Sequence, residues 1–218
     1  MITQKPNSCS GCPLNDKGLG FVPDKISKNT TDYVMFGEAP GKQEVAASEP
    51  FIGKAGYVLK HWLIRAVPLI QLAVEKGRVT YSNVLRCLPP DVRGRAYPTG
   101  LEREQAEACC KQYLAPTDAH TIILFGEHPQ RFFFGPELEA EDASDRRIGR
   151  EVKGVLGRIG RVYERDEKRW VFAPHPAFVL RQPALVEHGQ QALKIAAGQE
   201  KVVAPDYIPW DTAIQELS

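Results

Sequence analysis

Four short apolar runs recur along the chain and predict the strands of a sheet. They span residues 33–36, 79–85, 121–125 and 170–173, and residues that favour turns flank each of them. Compact runs of this kind are typical of buried strands in a mostly parallel sheet. Residues 161–165 and 169–173 are also expected to form a hairpin around Asp166 and Glu167.

Segments with helical patterns lie between these runs. The span 56–67 has apolar residues at helical spacing, 101–114 carries acidic residues early and a lysine late, and 184–197 follows a proline. Alternating strands and helices predict an α/β fold, a three-layer α/β/α sandwich around a central four-stranded, mostly parallel sheet. We expect residues 1–200 to form a single domain and 201–218 a C-terminal tail, with irregular segments at 89–100 and 135–145.

The composition is that of an ordinary globular protein, with 43% hydrophobic and 25% charged residues. We expect a cytoplasmic protein without membrane contact, because no apolar run reaches the length of a membrane span and no secretory leader is visible. The net charge of +1 argues against binding to nucleic acid through overall charge alone. For the basic run at 146–169, a solvated face of mixed charge is favoured over a surface that contacts phosphates.

The spacing of the five cysteines indicates a metal or cluster site. Cys9 and Cys12 form a C-x-x-C pair, which presents two thiolates to one ion or cluster. Cys87 follows the second apolar run, and Cys109 and Cys110 lie on a predicted helix. An odd number of cysteines fits four ligands and a spare better than a disulfide framework. Unligated cysteines, buried as small hydrophobic residues, are the alternative.

Polar side chains occur where three of the predicted strands end. Glu38 follows the first strand in a glycine- and proline-containing turn, Asn83 lies near the end of the second, and His175 follows the last. Ligands of open α/β sheets bind outside the carboxyl ends of the strands, so these residues predict a pocket with acid/base and hydrogen-bonding capacity. Each motif alone is a weak signal, because such turns are usually only turns.

Taken together, the motifs resemble the uracil-DNA glycosylase superfamily, and most closely its family 4, the iron–sulfur uracil-DNA glycosylases. They follow the family's order over roughly residues 9–185 and are specific as a set. The matching elements are Cys9-x-x-Cys12-Pro13-Leu14, Gly37-Glu38-Ala39-Pro40-Gly41 with Glu44, Pro50-Phe51-x-Gly53-x-Ala55-Gly56, Asn83-Val84-x-x-Cys87-x-Pro89-Pro90, Cys110-x-x-Tyr113-Leu114, and His175-Pro176-Ala177 with Leu180-Arg181.

The resemblance implies a 4Fe–4S cluster with Cys9, Cys12 and Cys87 among its ligands. The fourth ligand is Cys109 or Cys110, and the Lys-Gln-Tyr-Leu segment that follows favours Cys110. A four-thiolate zinc site could use the same residues, so zinc is the alternative occupant.

The resemblance also implies an enzyme that flips uracil out of single- or double-stranded DNA and hydrolyses its N-glycosidic bond, which leaves an abasic site. Gly37 and Ala39 belong to the implied substrate pocket. Phe51 would stack on the flipped base, and the amide of Asn83 would match the alternating acceptors and donor of the uracil edge.

Three further residues have implied roles in catalysis. His175 would hydrogen-bond the uracil oxygen that gains negative charge. Glu44, or else Glu38, would position the water and stabilise the positive charge on the sugar, and the motif favours Glu44.

A stretch after His175 resembles the DNA wedge of the superfamily. Phe178, Val179 and Leu180 would fill the gap that the flipped base leaves, and Arg181 would bind a phosphate. The alternative is that the three apolar residues only pack the loop onto the core.

The chain departs from the family pattern at several places. Val92 stands where family members commonly carry asparagine, the spacing between Cys87 and Cys110 is longer than expected, and 135–150 looks like an insertion. We therefore expect a divergent, monomeric member from a bacterial, archaeal or phage setting, with the tail as a candidate contact for a protein partner. The second hypothesis is a DNA-binding or modified-base-processing protein of the same fold that has lost or altered uracil excision.

Overall fold

The computed structural model describes residues 4–90, 101–113, 118–147, 154 and 156–201. Val92 and residues 202–218 of the tail lie outside this range. The expectations for Val92 and for the tail therefore stay predictions, as does the division into a domain and a tail.

A five-stranded sheet lies at the centre of the fold, in the strand order β2-β1-β3-β5-β4. Four strands run parallel and β4 pairs antiparallel with β5. The predicted α/β class and mostly parallel sheet are confirmed, and the predicted hairpin adds the fifth strand at the edge. The strands are β1 (Tyr33–Gly37), β2 (Val79–Asn83), β3 (Thr121–Phe125), β4 (Val162–Arg165) and β5 (Lys168–Ala173).

The hairpin turn has the backbone that its length requires. Asp166 and Glu167 connect β4 to β5, and both have positive φ values, 54° and 57°. Two-residue hairpins favour turns of this hand because their twist matches that of the strands.

Helices cover both faces of the sheet. The predicted helix at 56–67 is present as α3 followed by a π-helical turn (Leu59–Leu63) and a 3-10 turn (Ile64–Ala66), whereas α4 and α6 were not predicted. The helices of the described residues are α1 (Pro13–Lys17), α2 (Lys42–Ala47), α3 (Lys54–Val58), α4 (Pro68–Glu75), α5 (Leu101–Lys111), α6 (Glu127–Arg147), α7 (Pro176–Arg181) and α8 (Val186–Ala196).

Alternating side chains of the strands build one hydrophobic core on each face. Met35 and Ile123 belong to a core shared with α3, α4 and α8. Val34 and Ile122 point to the other face, in a core shared with α6. This alternation follows from the period of two along a strand, and it produces the predicted three layers.

The prediction that 135–145 is irregular is wrong, because these residues lie within α6. The acidic side chains of this helix pair with arginines from the region of β4. Three arginines of the basic run therefore form ion pairs within the chain. Of these, Arg158 is only 2% exposed. The pairs are Arg158 with Asp142, Arg161 with Glu141, and Arg165 with Glu137.

Candidate active site and cysteine cluster

The carboxyl ends of the parallel strands meet at one edge of the sheet. Gly37 at the end of β1 is in register with Asn83 at the end of β2. The segments after β1, β3 and β5 open a cleft of about 540 Å³ there, which Glu38, Gly126 and His175 line. The structure thus brings Glu38 and His175 to one cleft, as the order of the motifs predicted.

His175 is the N-cap residue of α7 and is held in one tautomer. Its Nδ1 accepts a hydrogen bond of 3.1 Å from the backbone N–H of Ala177. A neutral ring must then carry its proton on Nε2. Burial lowers the pKa of His175, Glu38 opposes this shift and Arg181 adds to it. The side chain therefore acts as a neutral N–H donor near pH 7.

Gly126 gives His175 the space that it occupies. The glycine has a φ of +85°, and a Cβ at this position would lie only 2.9 Å from the Cβ of His175. Any larger residue would strain the backbone and displace the imidazole.

Asn83 and Phe51 lie against Gly37 at the end of β1. Both side chains are buried. A Cβ on Gly37 would lie 2.5 Å from Oδ1 of Asn83 and 2.8 Å from Cζ of Phe51. Glycine is required here because the amide and the ring both approach the backbone closely. We name Gly37, Phe51 and Asn83 the base cradle.

Glu44 supports the loop that carries Phe51. Its Oε1 accepts a hydrogen bond of 2.9 Å from the backbone N–H of Phe51, and its Oε2 accepts one from the N–H of Gly41 at the start of α2. Among the described residues, Glu38 and Glu127 are the carboxylates that line the cleft, and Glu44 is not part of the lining. Glu38 is the carboxylate that raises the pKa of His175 against the effect of burial. The water-positioning role of Glu44 stays a prediction.

The residues of the expected wedge point in different directions, because consecutive residues of α7 face different sides of the helix. Phe178 lines the cleft and Leu180 is 37% exposed. Val179 is fully buried in the core. The Arg181 guanidinium lies 5.9 Å from the centre of the Phe178 ring. The structure thus divides the predicted wedge between the cleft, the surface and the core.

All five cysteines line one small, mostly apolar cavity. Ala39 packs against this group, and none of the cysteines forms a disulfide. Within the described residues, no group of three or more His, Cys, Asp or Glu side chains is arranged to hold a metal ion. The predicted ligands therefore converge, but their thiols do not form a coordination geometry.

The environment of the cysteines disfavours the charged thiolate form. Burial raises the pKa of Cys87 to about 12 and that of Cys109 to about 11, and the neighbouring thiols add to both shifts. Deprotonation of several of these cysteines together requires a compensating positive charge, which a bound metal ion or cluster supplies.

A buried ion pair lies behind the cysteines. Arg86 is 2% exposed, and its Nε and Nη2 donate to the two carboxylate oxygens of Asp24 at 3.2 and 3.3 Å. The positive charge of Arg86 opposes the rise in the pKa of Cys110. This guanidinium is suited to stabilise an anionic group held by the cysteines.

α5 and α6 form a part of the cleft that no sequence motif predicts. Oε1 of Glu107 accepts a hydrogen bond from Nε of Arg103 at 2.8 Å and lies 2.7 Å from Nε2 of His128. Burial raises the pKa of Glu107, but its hydrogen bonds with His128 and Arg103 outweigh burial and lower it. The spacing of four between Arg103 and Glu107 indicates a helical ion pair, whereas only the fold brings His128 to it.

Among the described helices, none combines the length and the apolar character that crossing a bilayer requires.

The sequence matches a family of known proteins over most of its length. The description "Uracil DNA glycosylase superfamily" applies to residues 23–197, a range that begins after Cys9 and Cys12. Proteins named "Type-4 uracil-DNA glycosylase" are similar over more of the chain. The one from Pyrobaculum aerophilum is 32% identical over 88% of this chain and 89% of its own length.

Two other relatives carry the same name. The protein from Archaeoglobus fulgidus is 29% identical over 88% of each chain, and that from Sulfurisphaera tokodaii is 26% identical over 84% of this chain and 76% of its own. With the parallel sheet and the cleft at its carboxyl edge, these matches establish that the chain belongs to the uracil-DNA glycosylase superfamily, and within it to the type-4 family.

Proposed function

We propose that the protein is a monofunctional uracil-DNA glycosylase, which flips uracil out of DNA and hydrolyses the bond between the base and the deoxyribose. The observation that carries the proposal is the position of the neutral His175 donor and the Glu38 carboxylate in one cleft beside the base cradle. The names of the family relatives support this activity and a DNA substrate.

The base cradle accounts for recognition of uracil. The Phe51 ring offers a flat face for stacking, and the buried Asn83 amide offers one acceptor and two donors. Uracil presents a carbonyl where cytosine presents an amino group, so an amide fixed in one orientation discriminates between the two bases. Gly37 allows the amide and the ring to act on the same base.

His175 stabilises the leaving group. As the C1′–N1 bond breaks, its electron pair moves to uracil and negative charge builds on the uracil oxygen next to N1. The Nε2–H of His175 donates to this oxygen, and a neutral donor suits the role because no proton has to be lost before the step. The Ala177 N–H fixes the ring so that Nε2 is the donor.

A carboxylate acts on the sugar. Positive charge develops on the deoxyribose while a water oxygen forms its new bond to C1′. Our candidate for holding this water is Glu38, because it lines the cleft with His175, and Glu44 is the alternative that the motif favours. The carboxylate stabilises the sugar cation and accepts a proton from the attacking water.

The cysteines fit a 4Fe–4S cluster. Cys9, Cys12 and Cys87 would hold it with Cys110, and the donor set, the apolar walls and the buried Arg86 cation suit an anionic thiolate cluster. When bound, the cluster supplies the positive charge that keeps four thiolates together. It would tie the N-terminal segment to the residues after β2 and to α5. Zinc is the alternative occupant.

The alternative hypothesis, a related protein without uracil excision, depended on Val92, which lies outside the described residues. The base cradle and His175 favour retained excision, and no described residue favours its loss.

The decisive experiment is incubation of the purified protein with an oligonucleotide that contains one uracil, followed by alkaline cleavage at abasic sites. A matched oligonucleotide with cytosine is the substrate control, and the folded His175→Ala variant is the enzyme control. We expect cleavage of the uracil strand by the native protein only. Product no greater than that of His175→Ala would refute the enzymatic function. Single- and double-stranded substrates, run in parallel, determine the preferred form of DNA.

A further inference from the structure

The cleft contains cationic side chains that the excision chemistry does not use. Besides Glu38, His175 and Phe178, its lining includes Arg103 from α5 and Arg131 from α6. The two guanidinium side chains are similarly accessible, 39% and 40% exposed. Both side chains therefore reach the solvent-exposed part of the cleft.

The Arg103 side chain is held in place by an ion pair at its Nε atom. Glu107, one helical turn further along α5, binds Nε of Arg103 through Oε1. The same oxygen contacts His128, which is 6% exposed and lies in the first turn of α6. Glu107 thus joins α5 to the segment after β3, and this connection fixes the base of the Arg103 side chain at the cleft.

We propose that Arg103 binds a DNA phosphate that flanks the flipped nucleotide, with Glu107 as its positioning residue; the inference rests on the proposed function. The base cradle receives the base, and Glu38 and His175 act at the sugar. The flanking phosphates must therefore lie further out in the cleft, where Arg103 is exposed. A guanidinium matches phosphate oxygens through two parallel hydrogen bonds, and its charge does not depend on pH.

Arg131 is a weaker candidate for the same contact. Its Nε is 2.6 Å from Oε1 of Glu127, and Asp142 lies 4.0 Å from its Nη2. Two carboxylates on its own helix therefore compete with a phosphate for this guanidinium. The carboxylate of Glu107, which binds Nε of Arg103, is shared with His128.

The experiment measures binding apart from excision. A fluorescent oligonucleotide with 2′-fluoro-2′-deoxyuridine, which resists cleavage, is titrated with the native protein and with variants at several salt concentrations. For Arg103→Gln we expect about tenfold weaker binding, and a slope of log Kd against log salt that is smaller by about one. Lys76→Gln removes one exposed positive charge from a different groove and should change Kd by less than about twofold.

Two further variants test the geometry. Arg103→Lys should restore the salt slope but only part of the affinity, because an ammonium cannot form the paired contact. Glu107→Gln should raise KM several-fold and leave the single-turnover rate at saturating DNA within about twofold, as expected for a positioning residue. Circular dichroism and thermal unfolding confirm that each variant is folded.

An Arg103→Gln variant with native Kd and native salt slope, in a protein that excises uracil, would overturn this inference alone. A change in Kd and in salt slope for Lys76→Gln equal to that for Arg103→Gln would also overturn it. If the native protein neither binds nor cleaves uracil-containing DNA, the proposed function fails as well, so the two failures are distinguishable.

Discussion

Glu44 and Phe51 are joined by a hydrogen bond of 2.9 Å from the backbone N–H of Phe51 to the carboxylate Oε1 of Glu44. Phe51 has a φ of +57°, in the left-handed region that a bulky residue adopts only when its surroundings hold it there. Oε2 of the same carboxylate binds the N–H of Gly41. One acidic side chain therefore begins α2 and maintains the backbone conformation that presents the ring of the base cradle.

This hydrogen bond predicts that replacing Glu44 and replacing Glu38, the two carboxylates of the first motif, have different effects on stability. Glu44→Ala should lower the free energy of unfolding by about 1–2 kcal/mol, because it removes a helix cap and the anchor of a strained residue. Glu38→Ala should leave that free energy within about 0.5 kcal/mol. Both variants should excise uracil more slowly, as measured in single turnovers.

Chemical denaturation of the two variants, side by side with the native protein, separates the roles. If Glu44→Ala retains full stability but loses activity, Glu44 acts on the reaction itself, as the motif suggested. If Glu38→Ala retains full activity, Glu38 has no role in holding the water.

Gly126 offers a second test, since a methyl group there would contact the Cβ of His175. Gly126→Ala should slow excision by about 10²-fold through displacement of the imidazole. Its cost in stability should be about 1–2 kcal/mol, from the positive φ. Single-turnover rates and thermal unfolding measure the two effects.

Two glycines provide matched controls for this variant. Gly198 also has a positive φ, +69°, but a Cβ there would meet nothing within 4 Å; Gly135 lies inside α6 with open space around it. Gly198→Ala should reproduce the loss of stability without the loss of rate, and Gly135→Ala should show neither. A rate for Gly198→Ala as low as that of Gly126→Ala would contradict the proposed contact.

The sequence predicted the parts of the fold that depend on local pattern. The strands were visible because each is a compact apolar run, and the hairpin because Asp166 and Glu167 suit its turn. The helical character of 135–145 was not visible, since the carboxylates of α6 are neutralised by arginines that come later in the chain. Without these arginine partners, an acidic segment has the pattern that is typical of an exposed loop.

The candidate site was likewise predictable only in part. Glu38 and His175 could be placed together because strand ends share one edge of a parallel sheet. The support that Glu44 gives to Phe51 depends on a backbone angle that no motif encodes. The contact of His128 with Glu107 depends on how α5 packs against the start of α6, which is a property of the tertiary structure alone.

The environment of His175 predicts its response to pH. Burial lowers its pKa below the value of about 6.5 in an unfolded chain. As the pH falls, the unfolded chain takes up this proton first, so the stabilising contribution of neutral His175 is complete above about pH 6.5 and is lost as the pH falls from there through the folded pKa. The excision rate should therefore stay constant between pH 7.5 and about 6.5.

Nitrogen-15 NMR of the ring tests this assignment directly. Among the signals of the five histidines of the native protein, the one that is missing in His175→Gln belongs to His175. It should show a protonated Nε2 and an unprotonated Nδ1 at pH 7, and it should titrate below pH 6.5. A His175 that titrates above 6.5, or that carries its proton on Nδ1, would exclude the neutral-donor mechanism.

Arg158 and Asp142 should depend on each other, so that removing one partner destabilises the α6 layer more than removing both. Both side chains are buried, 2% and 7% exposed. Arg158→Met leaves a buried carboxylate without this partner and should lower the free energy of unfolding by about 3–5 kcal/mol. The double variant Arg158→Met/Asp142→Leu should recover most of the loss. Lys17→Met, which breaks an exposed pair with Glu102, should cost at most about 1 kcal/mol.

Cys110 is our candidate for the fourth ligand of the cluster. Cys110 is the thiol that most strongly raises the pKa of Cys87 after burial itself, and the backbone N–H of Arg86 hydrogen-bonds to it. Cys109 instead forms its thiol contact with Cys12. Both Cys12 and Cys87 belong to the predicted ligand set, so we choose Cys110 because the Lys-Gln-Tyr-Leu segment that follows it matches the motif. Cys110→Ser and Cys87→Ser should lose iron and acid-labile sulfide, whereas Cys109→Ser should retain both and the brown colour of the native protein. Retention of iron by Cys110→Ser with loss in Cys109→Ser would reverse the assignment, and stoichiometric zinc in protein prepared without oxygen would replace the cluster with a zinc site.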